Sequence, residues 1–403
     1  MWEPIGLGYI IGYVQREYKS PIDIKFYQSK FDNDDVILSD VRDADIIAFS
    51  CTSPTFAHAV KLARSAKKIN PKIRTVFGGW HIAALKEKCI IDGMDQIVIG
   101  EGEKAFVDIL NGNKNQIIYG ENLDFSTAPW PDRKIIRNIR TANLCESMNG
   151  KRTASFQANR VCPVSCIFCA EKIMTGKFNR KTNPIRQRSV VDVCDEIESV
   201  INLLDLNYFK FVDATFDTTA QYVIDFCQEK IKRNIDTEWE ALIHASFATE
   251  DMMKWLKASN CNQINIGVES GSDKILRDVG KGVNTKTLRR VFGWAKQYKM
   301  CTRGFFILGM PNETKEDMLL TEKFIDEIEP SVVGFTILCP YPGCAIYDYE
   351  KHKNIDWSVT DEYSNDFWCT EHFTNQELKE WQLYFANKYK DILCERQIIN
   401  VSG

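Results

Sequence analysis

The 403-residue sequence has no run of about eighteen apolar residues, which excludes a membrane-spanning helix of ordinary length. It has no low-complexity tract either, and 44% hydrophobic with 26% charged residues is the composition of a globular protein. Residues Met1 to Val14 are apolar only from Ile5 and lack a preceding basic segment, so they do not read as a secretion signal. We therefore expect a cytoplasmic protein whose fourteen cysteines stay reduced.

Closely spaced cysteines are also scarce, with one exception. Cys162, Cys166 and Cys169, here called the cysteine trio, follow the spacing C-x3-C-x2-C. Three thiolates on one loop can hold an iron–sulfur cluster, and a cluster of four irons would keep one iron without a protein ligand. Such an open position permits metal chemistry on a bound molecule. Phe168 places an aromatic ring beside that position.

Two other interpretations of the cysteine trio are a structural zinc loop and a disulfide. Zinc loops usually combine two cysteine or histidine pairs, and Cys166 with Cys169 is the single C-x2-C pair in the chain. A disulfide is disfavoured in a protein without secretion signals.

Residues 1–125 alternate predicted strands and helices, which indicates an open parallel, Rossmann-like α/β sheet. Strands are predicted over 22–27, 45–50, 73–77 and 96–99, and helices over 5–16, 54–69 and 104–110. Ligands of such sheets bind at the carboxyl ends of the strands, which here are 50–53, 78–81 and 100–103. Glycines at these ends are equally explained as turn residues.

Residues 126–152 contain prolines and are predicted to connect two domains. From residue 153 to 343 a strand–helix unit repeats six times, which favours a partial (β/α)6 TIM barrel. Residues 344–403 are predicted to form a small C-terminal cap with a helix over 376–392. The predicted barrel strands are 153–158, 207–213, 237–243, 262–268, 302–308 and 332–338.

Functional groups of barrels lie at the carboxyl ends of the strands. Four of the six predicted ends carry polar groups: the cysteine trio, Asp213 with Thr215, His244, and Glu269 with Ser270. They are therefore expected to converge on one site.

The net charge of −4 conceals a basic segment. Between Arg133 and Arg188 there are thirteen lysines and arginines against two glutamates. The segment is either a solvated connection or a positive surface near the cluster, suited to an anionic substrate or an acidic electron donor. Nucleic-acid binding is disfavoured because the segment lacks interleaved aromatic residues.

Several motifs together resemble the radical S-adenosylmethionine (SAM) enzymes that carry an N-terminal cobalamin-binding domain. Besides the cysteine trio, the resemblance rests on 5–9 (IGLGY), 77–81 (FGGWH), 99–103 (IGEGE), 266–271 (IGVESG), 307–314 (ILGMPNET) and 340–343 (PYPG). It covers nearly the whole chain.

The resemblance implies that the cysteine trio binds a [4Fe-4S] cluster whose fourth iron binds SAM. It also implies a set of SAM contacts, namely Phe168, Asp213, Thr215, His244, Glu269 and Ser270. His244 stands where relatives often have an arginine for the SAM carboxylate. The implied cobalamin contacts are Ser50, Thr52, Gly78, Gly79, Gly100 and Glu101.

The chain departs from the family pattern at its N-terminal domain. An apolar strand usually precedes the first helix, so the sheet is expected to be one strand short. The motif D-x-H-x-x-G is absent, and His58 and His81 are expected to have structural or surface roles.

The function implied is methyl transfer to an unactivated carbon, dependent on cobalamin and proceeding through a 5′-deoxyadenosyl radical. The substrate would be a small molecule or a peptide, and the reductant a flavodoxin or ferredoxin. The alternative is a cyclisation or rearrangement enzyme of the same architecture that does not use cobalamin. An iron–sulfur electron carrier is a third interpretation, but an electron carrier would not need a barrel whose strand ends surround a substrate cavity.

Overall fold

A computed structural model describes residues 3–394 and residue 397. The described chain folds into two compact units. The first unit comprises the residues up to 148 together with 170–176 and 341–359, and the second comprises 149–169, 177–340 and the residues from 360 on.

The strands and helices alternate through both units, as an α/β fold requires. The strands are β1 (Ile46–Ser50), β2 (Arg74–Gly78), β3 (Gln96–Ile99), β4 (Ile117–Tyr119), β5 (Thr153–Phe156), β6 (Asn159–Arg160), β7 (Arg186–Gln187), β8 (Tyr208–Phe211), β9 (Glu238–Ile243), β10 (Cys261–Glu269), β11 (Cys301–Leu308) and β12 (Val332–Ile337). The helices are α1 (Ile5–Glu17), α2 (Asp34–Ser39), α3 (Ser53–Ile69), α4 (Trp80–Leu85), α5 (Gly102–Leu110), α6 (Asn138–Asn149), α7 (Lys172–Thr175), α8 (Val190–Leu204), α9 (Ala220–Lys232), α10 (Glu250–Ala258), α11 (Asp273–Asp278), α12 (Thr285–Gln297), α13 (Lys315–Ile328), α14 (Tyr349–His352) and α15 (Asn375–Lys388).

The first unit contains a parallel sheet in the order β1-β2-β3-β4. Three of its strands were predicted, and β4 was missed because three residues give little periodicity. The strand predicted over 22–27 is wrong. Its buried residue Phe26 packs with Ile11 of α1 and with Ile136 instead of entering the sheet.

The second unit contains six parallel strands in the order β5-β8-β9-β10-β11-β12, which confirms the partial barrel. Seven of the described helices of this unit begin at a side chain that accepts a backbone N–H bond, which fixes where each helix starts. The caps are Ser189, Thr219, Thr249, Ser272, Asn284, Thr314 and Thr374.

The two faces of the barrel sheet differ in burial. On β11 the even residues 302–308 are buried, whereas Arg303, Phe305 and Ile307 are half-buried. The Phe306 ring stacks on Phe335, which in turn stacks on Phe385 of α15, so the even residues face the helices. The odd residues therefore face the barrel interior.

The predicted linker (126–152) and the predicted C-terminal cap (344–403) each divide between the two units. Residues 126–152 contain α6 and divide between the units after residue 148. Residues 344–403 also divide, because 341–359 belong to the first unit. There the Lys88 ammonium lies 4.2 Å from the centre of the Tyr349 ring. The domain boundaries at 125, 152 and 343 stay predictions.

None of the helices in the described residues is long and apolar enough to cross a membrane.

Candidate active site

The cysteine trio lies in a long excursion that leaves the barrel after β5. The short antiparallel pair β6 and β7 closes the base of this excursion. Val161, directly before Cys162, has φ = +84°. A β-branched residue rarely adopts this conformation, so the loop is held in place by its surroundings. The Ile167 N–H donates to the Val279 carbonyl at 3.0 Å, which ties the loop to the segment after α11.

The chemistry of the cysteine trio fits an iron–sulfur cluster. Cys162 and Cys166 are half-buried, and Cys169 is exposed. Burial raises the pKa of Cys166, the Lys281 charge opposes the rise, and Glu269, Cys169 and Cys162 add to it, so that the pKa is about 12. Within the described residues no three ligating side chains are preassembled as a metal site. Because a cluster binds thiolates, its binding must remove the thiol protons.

A buried ion pair lies close to Cys166. The Lys281 Nζ and the Glu269 Oε1 are 2.6 Å apart, and both side chains are about nine-tenths buried. Burial lowers the pKa of Lys281, but the charges of Glu269 and Cys166 and the Glu269 hydrogen bond outweigh it and raise the pKa overall. The ammonium is therefore charged at neutral pH.

The backbone of β10 is shaped to make room for this pair. Its register slips between Gly267 and Glu269, and Glu269 has φ = +66°. A Cβ atom on Gly267 would collide with Glu269 Oε1 and lie 2.7 Å from Lys281 Nζ. Glycine at 267 is thus needed for the ion pair to occupy the barrel interior.

Lys281 was missed by sequence reasoning. It lies between Gly280 and Gly282, which have φ = +68° and +69°. A Cβ on Gly280 would lie 3.2 Å from the Ser165 carbonyl oxygen. Gly280 and Gly282 let this loop approach the cysteine loop, and they were the feature of the sequence that could have indicated Lys281.

His244 lies behind the Lys281 loop and holds it. Its Nε2 is 2.9 Å from the Lys281 carbonyl, and its Nδ1 is 2.6 Å from the Ser246 Oγ. Because a carbonyl only accepts, Nε2 carries the proton. Burial lowers the pKa of His244 to about 4, with Lys281 adding to the shift, so the ring is neutral. Both ring nitrogens are occupied by protein partners, which does not favour the predicted SAM contact.

Asp213 secures the entry to the cysteine loop. Its carboxylate accepts hydrogen bonds from the N–H groups of Ala158 and Asn159, at 3.0 and 2.5 Å for Oδ1. Burial raises the pKa of Asp213 to about 7. Thr215 is buried and donates to Asp217 Oδ1 at 2.5 Å. Both side chains thus have protein partners where SAM contacts were predicted.

Asp217, which sequence reasoning missed, connects β8 to β9. Its Oδ1 also accepts the His244 N–H at 2.8 Å. Ser270 is fully buried, and its Oγ lies 3.2 Å from Thr321 Oγ1. Phe168 is half-buried on the cysteine loop. Of the predicted SAM contacts, Phe168 lies on the cysteine loop and Glu269 lies in the ion pair with Lys281, and all six contacts stay predictions.

The predicted cobalamin residues lie at the carboxyl ends of β1, β2 and β3. Gly79 has φ = +92°, and a Cβ there would lie 2.7 Å from both the N and O atoms of Cys51. Gly100 has φ = +102° and approaches the Gly120 carbonyl. A Cβ on Gly78 would make only ordinary contacts with Val98, at 3.8 Å and beyond. Close backbone packing explains Gly79 and Gly100, whereas no close contact requires a glycine at position 78, and its contact with cobalamin stays a prediction.

The other predicted cobalamin residues are partly structural. Ser50 is exposed, whereas Thr52 forms a capping box with Thr55 at the start of α3. Glu101 is buried and accepts the Leu123 N–H at 2.8 Å.

The two N-terminal histidines have protein partners, as expected. His58 Nε2 lies 2.8 Å from Asp34 Oδ1. His81 is buried, stacks on Phe56 and lies 3.1 Å from Ser53 Oγ. Burial lowers the pKa of His81 to about 4.

Some of the basic residues between Arg133 and Arg188 form ion pairs within the protein. Arg188 is fully buried and bonds Glu196 at 2.5 Å, and Arg140 bonds Asp32 at 2.9 Å. Lys177, Arg180 and Lys181 are exposed in the same excursion as the cysteine trio.

Two family models match the chain. Residues 1–110 match the B12 binding domain, and residues 157–325 match the radical SAM superfamily.

Two relatives align with most of the chain. An uncharacterized methyltransferase of Pyrococcus horikoshii is 27% identical over 377 residues, covering 87% of this chain and 79% of that protein. The anaerobic magnesium-protoporphyrin IX monomethyl ester cyclase of Rubrivivax gelatinosus is 24% identical over 400 residues, covering 88% and 69%.

The fold is shared with a solved structure. The radical SAM methyltransferase TsrM of Kitasatospora setae, with cobalamin and a [4Fe-4S] cluster bound, matches with a TM-score of 0.68 at 14% identity, covering 88% of this chain and 75% of that one. With a B12 binding domain ahead of a radical SAM barrel, this chain belongs to the radical SAM enzymes that carry an N-terminal cobalamin-binding domain.

Proposed function

We propose that this protein is a cobalamin-dependent radical SAM methyltransferase acting on an unactivated carbon. The observation that carries the proposal is the presence, in one chain, of a B12 binding domain and of a radical SAM barrel that carries the cysteine trio. The name of the Pyrococcus horikoshii relative supports methyl transfer.

The cysteine trio would hold the [4Fe-4S] cluster. When bound, the cluster and SAM supply a carbon-centred radical, and cobalamin supplies a carrier for the methyl group. The residues of this chain would bind these cofactors and orient them. Lys281 presents a buried ammonium next to Cys166, where it would bind the SAM carboxylate. Glu269 holds that ammonium in place, and His244 holds the backbone of Lys281.

The cobalamin would lie against the strand ends at Ser50, Gly78 and Gly100. His58 and His81 have other partners, so the protein would not supply an imidazole to the cobalt from either position.

The electron donor would be a flavodoxin or ferredoxin in the cytoplasm. The exposed cations Lys177, Arg180 and Lys181 give an acidic donor a surface in the excursion that carries the cysteine trio.

A second candidate is ring formation without use of cobalamin. The Rubrivivax gelatinosus cyclase, aligned over 400 residues, is the observation that favours it.

Product analysis separates the two functions. Methyl transfer from SAM leaves S-adenosylhomocysteine, whereas reductive cleavage leaves 5′-deoxyadenosine and methionine. We expect the anaerobically reconstituted protein, given SAM, hydroxocobalamin and a chemical reductant, to form both nucleosides. 5′-Deoxyadenosine alone, whether or not hydroxocobalamin is present, would favour the cyclase reading. Neither product, at full iron content, would refute both.

A further inference from the structure

Arg303, in the interior of the barrel, has no counterion among the residues that the structure describes. Arg303 on β11 is half-buried and faces inward. Its Nε is fully buried and has no hydrogen-bond partner, and no ion pair involves Arg303 anywhere in the described part of the chain. A buried donor without an acceptor is unfavourable, and a charged one is more so.

The interior carboxylates among the described residues have other partners. Glu269 pairs with Lys281, and Glu240 accepts hydrogen bonds from Tyr208 and Gln263. Arg303 forms no ion pair with either carboxylate, and a bound anion would neutralise its charge.

A second donor lies beside the arginine. Asn265 on β10 is the register partner of Arg303, on a strand about 4.8 Å away. Its Oδ1 accepts from Gln263 Nε2 at 2.9 Å, so the Asn265 amide nitrogen is left to donate elsewhere. A guanidinium next to an amide donor matches the two oxygens of a carboxylate.

The position of Arg303 points to the substrate. Arg303 lies two residues before Phe305, a distance of about 7 Å along the strand. Phe305 is the register partner of Gly267, and the atoms of the Glu269–Lys281 pair lie beside Gly267. A molecule anchored at Arg303 would extend past Phe305 and Gly267 toward that pair. Lys281 already offers a cation at the level of the cysteine trio, which leaves Arg303 for a different anion.

We propose that Arg303, assisted by Asn265, binds a carboxylate of the substrate, which is therefore a carboxylic acid. This proposal rests on the proposed function, because it names the substrate class of the radical site. The group that Arg303 would bind is a carboxylate, and SAM is the other molecule at this site that carries one.

The test is calorimetric binding to the full-length protein with its cluster reconstituted and no reductant added. The probes are hexanoate and benzoate, each compared with its uncharged amide. The wild type should bind the acids at least about tenfold more tightly than the amides, the scale of a charge-assisted hydrogen bond. Arg303→Leu should lose this difference, and Arg303→Lys should keep part of it. Arg277→Leu, on the exposed face of α11, is the matched control and should behave as the wild type.

Three results would overturn the proposal. The first is equal binding of acids and amides by the wild type, or unchanged acid binding by Arg303→Leu. The second is a melting temperature of the unliganded Arg303→Leu protein that lies below that of the wild type. If Arg303 serves to bind a ligand, the unliganded Arg303→Leu protein should be at least as stable as the unliganded wild type. The third comes from a parallel titration with SAM and decarboxylated SAM. If Arg303→Leu weakens SAM tenfold and decarboxylated SAM not at all, the carboxylate belongs to SAM.

These outcomes are independent of the proposed function. No reductant is present and no chemistry occurs, so a failure of methyl transfer would not change them. Conversely, normal formation of S-adenosylhomocysteine with no preference for acids would remove this inference alone.

Discussion

Replacing Glu269 by glutamine should destabilise the second unit markedly. The substitution keeps the size of the side chain and removes the charge that pairs with Lys281 at 2.6 Å. Removing one partner of a buried ion pair costs about 3–5 kcal/mol, because the remaining charge stays buried without compensation. Lys281 can avoid this penalty by releasing its proton, which at pH 7 costs a lysine of ordinary pKa about 4.6 kcal/mol. The two values agree, so the loss should be about 3–5 kcal/mol.

The dependence on pH identifies the cause. In Glu269→Gln the buried, unpaired lysine has a lowered pKa, so the native state binds fewer protons than the unfolded state. Stability then rises with pH, and the deficit relative to the wild type should shrink by up to about 1.4 kcal/mol per pH unit between pH 7 and pH 9.

The measurement is urea unfolding of the apoprotein at pH 7, 8 and 9. The double variant Glu269→Gln with Lys281→Met should recover most of the loss, since no charge remains buried. The control is Glu327→Gln, which removes the partner of Arg289 in a surface pair with both side chains more than 40% exposed. It should change stability by at most about 1 kcal/mol.

The reasoning is refuted if Glu269→Gln is within 1 kcal/mol of the wild type at pH 7. It is refuted equally if the double variant is less stable than the single one, because the pair would then be held by something other than charge.

Three further predictions concern the cofactors and one histidine. Alanine at all three positions of the cysteine trio should abolish iron binding and the visible absorption of the reconstituted protein, and retained iron would show that other groups bind it. Gly78→Trp should fold normally but lose hydroxocobalamin in equilibrium dialysis, whereas Gly293→Trp, at an exposed helical site with open space, should bind it as the wild type does. Gly79→Trp is unsuitable, because its side chain would displace the Cys51 backbone. His81 stays neutral in the fold, so it contributes stability above pH 6.5 that is lost as the pH falls toward 4. His81→Phe should therefore lose less stability to urea than the wild type does between pH 7 and pH 5, and an equal loss would contradict the assignment.

The architecture was predictable because it depends on regular periodicity. The six barrel strands and their helices repeat a pattern that burial requires, and the predicted β11 over 302–308 differs from the structure by one residue. Strands too short to show periodicity, such as β4, and apolar segments that pack without pairing, such as 22–27, carry no such signal.

The site was predictable only in part, because spacing identifies residue types and not their partners. The cysteine trio and Glu269 were found from local motifs. Lys281 was missed, because its link to Glu269 depends on a glycine at 267 and on the fold of a loop twelve residues later. His244 was expected to face SAM, yet Lys281 draws its Nε2 to a backbone carbonyl.

Backbone strain also occurs at the cysteine trio and at the Glu269–Lys281 pair, and it can be recognised without any sequence motif. Val161 and Glu269 both have positive φ, one directly before the cysteine trio and the other in the ion pair beside it. Each such residue costs on the order of 1–3 kcal/mol, and the surrounding contacts must hold it there. Those contacts are identifiable: Asp213 bonds the chain at Ala158 and Asn159, and Val279 bonds the loop at Ile167. Asp213 and His244, both expected to touch SAM, are thus better explained as the groups that position the cysteine loop and Lys281. If so, Asp213→Asn should weaken cluster assembly before it weakens SAM binding, because the backbone it holds leads to Cys162.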